Sequence, residues 1–320
     1  MKRIGVLTSG GDASGMNACI RAVVRMSSYL ELEVFGVERG YDGLIAGDIH
    51  ELGPRDVSDM IQRGGTFLRT ARSTAFKTGE GFQRALDMLE NFKIDGLVVI
   101  GGNGSMAGAD ALSKAGVKVA FLPSSIDNDM AYTDYAIGFD TAVNTALYAI
   151  SNTRDTSASH ERVTIIEVMG RECGDIAVYA GLTGGAEIIL VPEEPVDLGD
   201  ICRTLIESRN KGKGSNIIVM AEGVDISPTE LDEEVTKRTG LDVKVVILGY
   251  IQRGGTPSMR DRLLATMLGA KAVELLEDDV HGVALGLVSG EPVWPDFATA
   301  IEAKKRDARP LFDLAKILAL

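Results

Sequence analysis

Short runs of aliphatic residues, rich in Val and Ile, punctuate this 320-residue chain at 3–8, 33–37, 96–100, 117–122, 163–168, 187–191, 216–221 and 244–248. Most are apolar throughout rather than alternating, the pattern of strands buried on both faces of a parallel sheet. Between them, apolar positions recur every three or four residues over 15–28, 81–91, 105–114, 141–153, 198–210 and 260–276, which predicts helices. Strands and helices alternate along most of the chain, and glycines bound the strands. The expected class is therefore α/β, with two sandwiches built on mainly parallel sheets. No low-complexity linker separates them, so the domains are expected to be interwoven rather than consecutive.

Two of the strand-to-helix turns are glycine-rich: TSGGDASGMN at 8–17 and GGNGS at 101–105. Glycines let backbone N–H groups approach an anion closely, and the helix N-terminus behind them adds about half a positive charge. Neither turn is a GxGxxG with an acidic residue some 20 positions on, nor a GxxxxGK[ST], so neither a dinucleotide fold nor a P-loop is signalled. A tight turn accounts for either alone; two in one chain favour a polyphosphate. In LPSSIDNDMAYTDY, residues 122–135, Asp127 and Asp129 stand two apart directly after a strand. One carboxylate is then placed to take a proton from a hydroxyl while the other faces a metal held on phosphates. The plainer alternative is an Asx-rich turn capping its own backbone.

The hexapeptide IQRGGT occurs twice, at 61–66 and 251–256, with no longer period around it. For the first copy a Gly-Gly turn at positive φ suffices. The second follows the apolar KVVILGY and sets Arg253 beyond a strand's C-terminal end, where α/β sheets bind ligands. Further arginines fall in loops, at Arg72, Arg154, Arg162 and Arg171, and guanidinium forks match phosphate oxygens.

Charge sharpens this picture. Lys and Arg number 33 against 46 Asp and Glu, a net charge of −13, which argues against a nucleic-acid or anionic-membrane surface. Any anion site must gather its own local arginines. With only three histidines a His-rich metal centre is not expected. Cys19, Cys173 and Cys202 are far apart, as suits reduced thiols in a cytoplasm. The opening MKRIGVLTSGG reads as a strand entering a loop rather than a signal peptide, and no apolar run approaches the ~18 residues of a membrane span.

Taken together and in order, LTSGGDASGMN, GGTFLRTARS, VVIGGNGS, SIDND, DTSASHER, EVMGRECGD, AEG at 221–223 and IQRGGTP resemble the bacterial ATP-dependent 6-phosphofructokinases over essentially the whole chain. The resemblance implies phosphoryl transfer from MgATP to the 1-hydroxyl of fructose 6-phosphate, in a cytoplasmic homotetramer. It implies an ATP-binding domain, 1–138 plus about 252–305, and a sugar-phosphate domain, 139–251 plus about 306–320. By position, Gly11, Tyr41, Arg72, Ser73, Gly102, Asn103, Gly104 and Ser105 would bind ATP. Asp127 would be the base, with Ser125 and Arg171 beside it. Ser125, Asp127, Met169, Gly170, Arg171, Glu222, Tyr250 and Arg253 would line the sugar site, with Arg162 and Lys244 reaching in from a neighbouring subunit. Arg21, Arg25, Arg154, Gly185, Glu187, Lys211 and Lys213 would form a site for a nucleotide or phosphometabolite effector.

Several positions depart from the family pattern. The aspartate expected in GGDGS is Asn103, which leaves Asn103 and Asp129 as the candidate magnesium residues. Ser124 and Ser125 stand for Gly and Thr, Lys244 for an arginine, Tyr250 for a histidine, and Pro54 for an effector-site arginine, with Arg55 adjacent. Asn103, Lys244 and Tyr250 together are also what a catalytically weak regulatory or binding paralogue would carry. A pyrophosphate-dependent branch is disfavoured, because its aspartate and lysine positions are Gly104 and Ser124 here.

Overall fold

The computed structural model describes residues 1–304 and 308–319. The chain divides into two compact units, Met1–Thr141 with Arg253–Arg306, and Ala142–Gln252 with Asp307–Leu320. In chain order the elements are β1 (Arg3–Ser9), α1 (Met16–Tyr29), β2 (Glu33–Val37), α2 (Gly40–Ala46), β3 (Ile49–Leu52), α3 (Gly79–Asn91), β4 (Gly96–Gly101), α4 (Asn103–Lys114), β5 (Lys118–Pro123) and α5 (Phe139–His160). They continue with β6 (Val163–Val168), α6 (Asp175–Thr183), β7 (Ile188–Leu190), α7 (Leu198–Asn210), β8 (Asn216–Ala221), α8 (Pro228–Thr239) and β9 (Val243–Ile247). Last come α9 (Met259–Glu277), β10 (Val283–Ala284), β11 (Gly286–Val288), β12 (Glu291–Val293), α10 (Phe297–Glu302) and α11 (Arg309–Leu318).

The first unit holds a sheet in the order β10-β5-β4-β1-β2-β3, parallel except for β3. Side chains alternate across it, as the two-residue period of a strand requires. Ile4, Val6, Val98, Ile100, Ala120 and Leu122 enter one apolar cluster with residues of α1 and α9, including Val23, Leu268 and Ala272. Leu7, Leu97, Val99, Val119 and Phe121 enter the opposite cluster with Leu44, Leu89 and Leu112 of α2, α3 and α4. Every residue of β4 is buried, which is why this strand reads as a continuous apolar run. The second unit holds an all-parallel sheet in the order β7-β8-β6-β9.

Strands β2, β6 and β8 and helix α7 fall where the patterning placed them, and the other predicted elements shift at their ends by a few residues. The largest difference is α5, which runs on to His160 rather than stopping at 153. Several elements carried too little pattern to anticipate. α6 (DIAVYAGLT) is buried on most sides and so lacks a polar stripe. α2 contains two glycines and is bounded by left-handed residues, Arg39 at φ 57° and Gly47 at φ 77°. α8 buries only Pro228, Leu231 and Val235, and a capping box between Ser227 and Glu230 closes its start. Cys19, Cys173 and Cys202 are all free thiols. Among the described residues no helix is long and apolar enough to cross a membrane.

Phe121 is fully buried on β5, two residues before the strand's last residue, Pro123. Phe121→Ala should lower the unfolding free energy by about 3–5 kcal/mol, the range for emptying an aromatic core site, read from urea unfolding of the purified protein.

Candidate functional site

Strands β1, β4 and β5 end level with one another: Ser9 pairs with Gly101, and Gly101 with Pro123. Three loops therefore leave the same sheet edge side by side, and they wall a cavity of about 1000 Å³ in the first unit. Gly10, Gly11 and Asp12 from the first loop, Gly102, Gly104 and Ser105 from the second, and Ser124, Ser125 and Asp127 from the third line it, together with Arg72 and Arg253. Helix α4 opens at this cavity from Gly102, with no side-chain cap and no acidic residue in its first turn. Its dipole is thus left for an anion. Close approach at the strand ends demands glycine. A Cβ on Gly101 would lie 2.5 Å from both the Ser9 carbonyl and the Ser105 hydroxyl; one on Gly11 would meet only Nη1 of Arg253 at 2.3 Å, the mobile end of a long side chain that can move aside.

The outer part of the cavity is aromatic. Tyr41 stacks on Phe76 with ring centroids 4.1 Å apart and an 18° tilt, and its hydroxyl donates to the Ser105 carbonyl at 2.7 Å. Burial pushes the Tyr41 hydroxyl well above its ordinary range, so it stays a donor. A Cβ on Gly108 would strike this ring at 2.7 Å. Phe76, Lys77, Phe82, Gly108 and Lys114 line the cavity without having stood out in the sequence. Phe76 and Lys77 lie in a single-turn helix (75–77), Phe82 lies in the first turn of α3, and the others are ordinary positions on α4, so nothing local marks them.

The SIDND loop contains the expected Asx turn. Asn128, at φ 53°, acts as the Asx residue: its Oδ1 accepts from the Ala136 amide at 2.9 Å and its Nδ2 donates to the Asp134 carbonyl at 3.2 Å. That closure leaves Asp127 lining the cavity. Asp129 faces two neighbours instead, accepting from the Ser125 hydroxyl at 2.7 Å and from Nδ2 of Asn103 at 2.8 Å. Of the residues assigned to ATP, all line the cavity except Asn103, whose side-chain amide is spent on Asp129.

The two IQRGGT copies meet. Gly65 and Gly255 have positive φ, as a Gly-Gly turn needs, and a Cβ on Gly64 would lie 2.2 Å from the Gly255 carbonyl. The Ser14 hydroxyl donates to that same carbonyl at 2.8 Å, and Nδ2 of Asn17 donates to the carbonyls of Arg63 and Gly64. The first copy is thus a spacer beneath the second, which presents Arg253 to the cavity.

In the second unit, the MGR loop turns at Gly170, φ 128°, where a Cβ would lie 2.4 Å from the Cys173 carbonyl. Buried Gln252 braces it, accepting from the Met169 amide at 3.3 Å and donating to the Gly249 carbonyl at 3.1 Å. Glu222 follows β8, its amide bonded to the Val168 carbonyl, and Gly223 passes against the Arg171 backbone, where a Cβ would come within 1.8 Å. Nearby Glu167 has its carboxyl pushed up, by burial first and then by Glu222. Arg162 and Lys244 share one carboxylate, Asp242, at 2.7 and 3.1 Å, and the Lys244 ammonium foremost holds Asp242 below the usual carboxylate range. Tyr250 is largely exposed. Arg154 donates to the carbonyls of Gly184 and Gly185 at 2.8 and 2.7 Å and lies 3.6 Å from buried Glu187, which also pairs with Lys213 at 2.7 Å. Glu187, Lys211 and Lys213 line a second cavity, of about 540 Å³, along β7. Arg21 and Arg25 lie on α1 in the first unit.

A family model described as phosphofructokinase matches residues 3–276. The chain is 51% identical over 319 residues to an ATP-dependent 6-phosphofructokinase of Clostridium tetani and 52% identical to one of Clostridium novyi, each covered completely on both sides. Among solved structures it is similar to phosphofructokinase from Saccharomyces cerevisiae, with TM-score 0.90 and 33% identity, covering 100% of this chain and 48% of the yeast chain. A pyrophosphate-dependent phosphofructokinase from Marinobacter aquaeolei, 20% identical, shares the fold with TM-score 0.85, covering 97% of this chain and 86% of its own.

Two glycine substitutions separate crowding from open space at this site. Gly64→Ala should cost about 1–3 kcal/mol, because its methyl meets a backbone carbonyl that cannot yield. Gly104→Ala has nothing within 4 Å of the added carbon and should leave stability unchanged or raise it by up to about 1 kcal/mol through helix propensity. Urea midpoints of the two variants against the parent check the contrast.

Proposed function

The chain belongs to the phosphofructokinase family and transfers a phosphoryl group from ATP to fructose 6-phosphate in glycolysis, and on that premise we propose how its residues share the work. The observation that carries the assignment is the convergence on one cavity of two glycine turns, a helix N-terminus, Asp127 and Arg253. The aromatic end, Tyr41 with Phe76, takes the nucleoside, and Arg72 and Ser73 flank it. Gly11 and the Gly102–Ser105 turn hold the phosphates through backbone N–H groups and the dipole of α4. Asp127 accepts the proton of the attacking 1-hydroxyl, Ser125 steadies the transferring group, and Arg253 stabilises its charge. The donor pocket suits a nucleotide. Gly104 leaves room beside the phosphates, and Ser124 is buried with its hydroxyl bonded to the Ile137 carbonyl, in a position that would bury a lysine head group.

The sugar's phosphate falls to Arg162 and Lys244, contributed by a neighbouring subunit of a homotetramer. Two cations sharing the single carboxylate of Asp242 keep a positive charge for a phosphate dianion. Met169, Gly170, Glu222 and Tyr250 complete the sugar site from loops that follow β6, β8 and β9. Arg154, Gly185, Glu187, Lys211 and Lys213 form the site of an anionic effector, and the protein works in the cytoplasm. Here too the cations around Glu187 outnumber it.

Magnesium enters on the nucleotide. Among the described residues no group of three or more His, Cys, Asp or Glu could hold a metal, which suits an ion bound mainly by phosphates and water with one or two protein oxygens. The Asp129 carboxylate and the Asn103 amide oxygen would supply those oxygens, and the two side chains are joined by a hydrogen bond from Nδ2 of Asn103. When bound, the ion neutralises charge on the phosphates.

Two substitutions test these roles. Asp127→Asn should lower kcat by about 10²–10⁴-fold, the usual contribution of a general base, while ATP binding by calorimetry stays at the parental value; turnover near the parental rate would reassign the base. Asn103→Asp replaces a donor to Asp129 by a second carboxylate, and paired carboxylates raise each other's proton affinity. It should lower the magnesium needed for half-maximal rate at pH 8 and lose that advantage toward pH 6, with the ATP dissociation constant unchanged. An unchanged magnesium requirement at both pH values would remove Asn103 from the metal's surroundings.

A further inference from the structure

Asp261 lies in the first turn of α9, outside every loop that lines the nucleotide cavity, and is 1% exposed. Its Oδ1 accepts from the Gly138 amide at 2.9 Å, and its Oδ2 accepts from the Thr141 amide at 2.8 Å and the Thr141 hydroxyl at 2.5 Å. It therefore caps the start of α5 from another helix, 120 residues away in sequence. The Thr141 hydroxyl in turn accepts from the Ser258 amide at 2.9 Å, and the Ser258 side chain caps Asp261's own amide at 3.2 Å. Burial holds the Asp261 carboxyl above the usual carboxylate range despite these donors, as expected of a group kept there for its geometry.

Three segments meet at this carboxylate. The loop carrying Asp127 closes where Ile137 pairs with Pro123 and Ser124, immediately before the clamped Gly138. The first glycine turn runs over Asp261 at Gly15, where a Cβ would lie 3.6 Å from the Asp261 Cβ and 2.6 Å from Ile137, while Ala13 sits 2.6 Å from the Cβ position of Gly138. The segment that carries Arg253 is tied in through Ser258 and through the Gly255 carbonyl that accepts from Ser14. The first glycine turn has independent support, since Asn17 anchors it to Arg63, Gly64 and Phe67. The exit of the Asp127 loop leans on Asp261 more heavily.

We propose that Asp261 is a positioning residue for phosphoryl transfer, fixing the Asp127 loop against the Arg253 segment through the Gly138–Thr141 clamp. It touches neither substrate. The inference rests on the assignment of Asp127 and Arg253 to the reacting groups. Displacement of about 1 Å in such groups can cost ~10²-fold in rate.

The test compares Asp261→Asn, Thr141→Val and Thr141→Ser with the parent and with Asp127→Asn. Asp261→Asn keeps the shape but opposes an NH₂ to a backbone donor; kcat should fall about 10–100-fold per folded molecule, with the ATP dissociation constant by calorimetry within about twofold. Thr141→Val should reproduce a smaller loss, and Thr141→Ser, which keeps the hydroxyl, should restore parental kcat; these two also serve if Asp261→Asn does not fold. A lower thermal midpoint with unchanged kcat per folded molecule would overturn the proposal, as would a loss of ATP affinity as large as the loss of rate. If Asp127→Asn itself turned over normally, the assignment of the base would fail instead, a result distinct from parental turnover in the Asp261 and Thr141 variants alone.

Discussion

Everything at the larger cavity of the first unit depends on three parallel strands ending in one row. Ser9, Gly101 and Pro123 stand level across β1, β4 and β5, so the loops that follow begin shoulder to shoulder with their backbones nearly in contact. Parallel pairing makes this possible, since each strand enters from the same end and every connecting loop of interest leaves at the other. Gly101 is where the constraint is tightest. A side chain there would collide with the neighbouring strand and with the first turn of α4, and the level arrangement would be lost.

The same row explains how a protein of net charge −13 binds polyanions. Positive potential is produced locally, by the uncapped start of α4 and by arginines delivered from loops, rather than by the surface as a whole. Three acidic groups are engaged by neighbours: Asp129 by Asn103 and Ser125, Asp242 by Arg162 and Lys244, Glu187 by Arg154 and Lys213. Each such carboxylate holds cations or donors in a fixed geometry, and fixed geometry is what charge stabilisation in a transition state requires. Asn103 illustrates this. It carries no charge of its own and gives a hydrogen bond that orients the Asp129 carboxylate.

A good part of this protein was determined by its sequence alone. The buried strands, the glycine turns behind them, the SIDND loop and the ordered motifs specified an α/β fold of parallel sheets and led to the family, because strand period, glycine's lack of a side chain and Asx-turn chemistry act over a few neighbouring residues. Tertiary structure decided the rest. Nothing within α6 or the segment around Phe76 distinguishes them locally, and nothing in either IQRGGT copy states that Gly64 lies against Gly255. The same holds for Ser14 and Gly255, 241 positions apart, for Asn103 turning its amide to Asp129, and for Asp261 capping a helix it does not belong to. Those contacts exist only once the sheet has folded and brought distant backbone donors and acceptors together. Burial then forces each polar group to find whichever partner has arrived beside it.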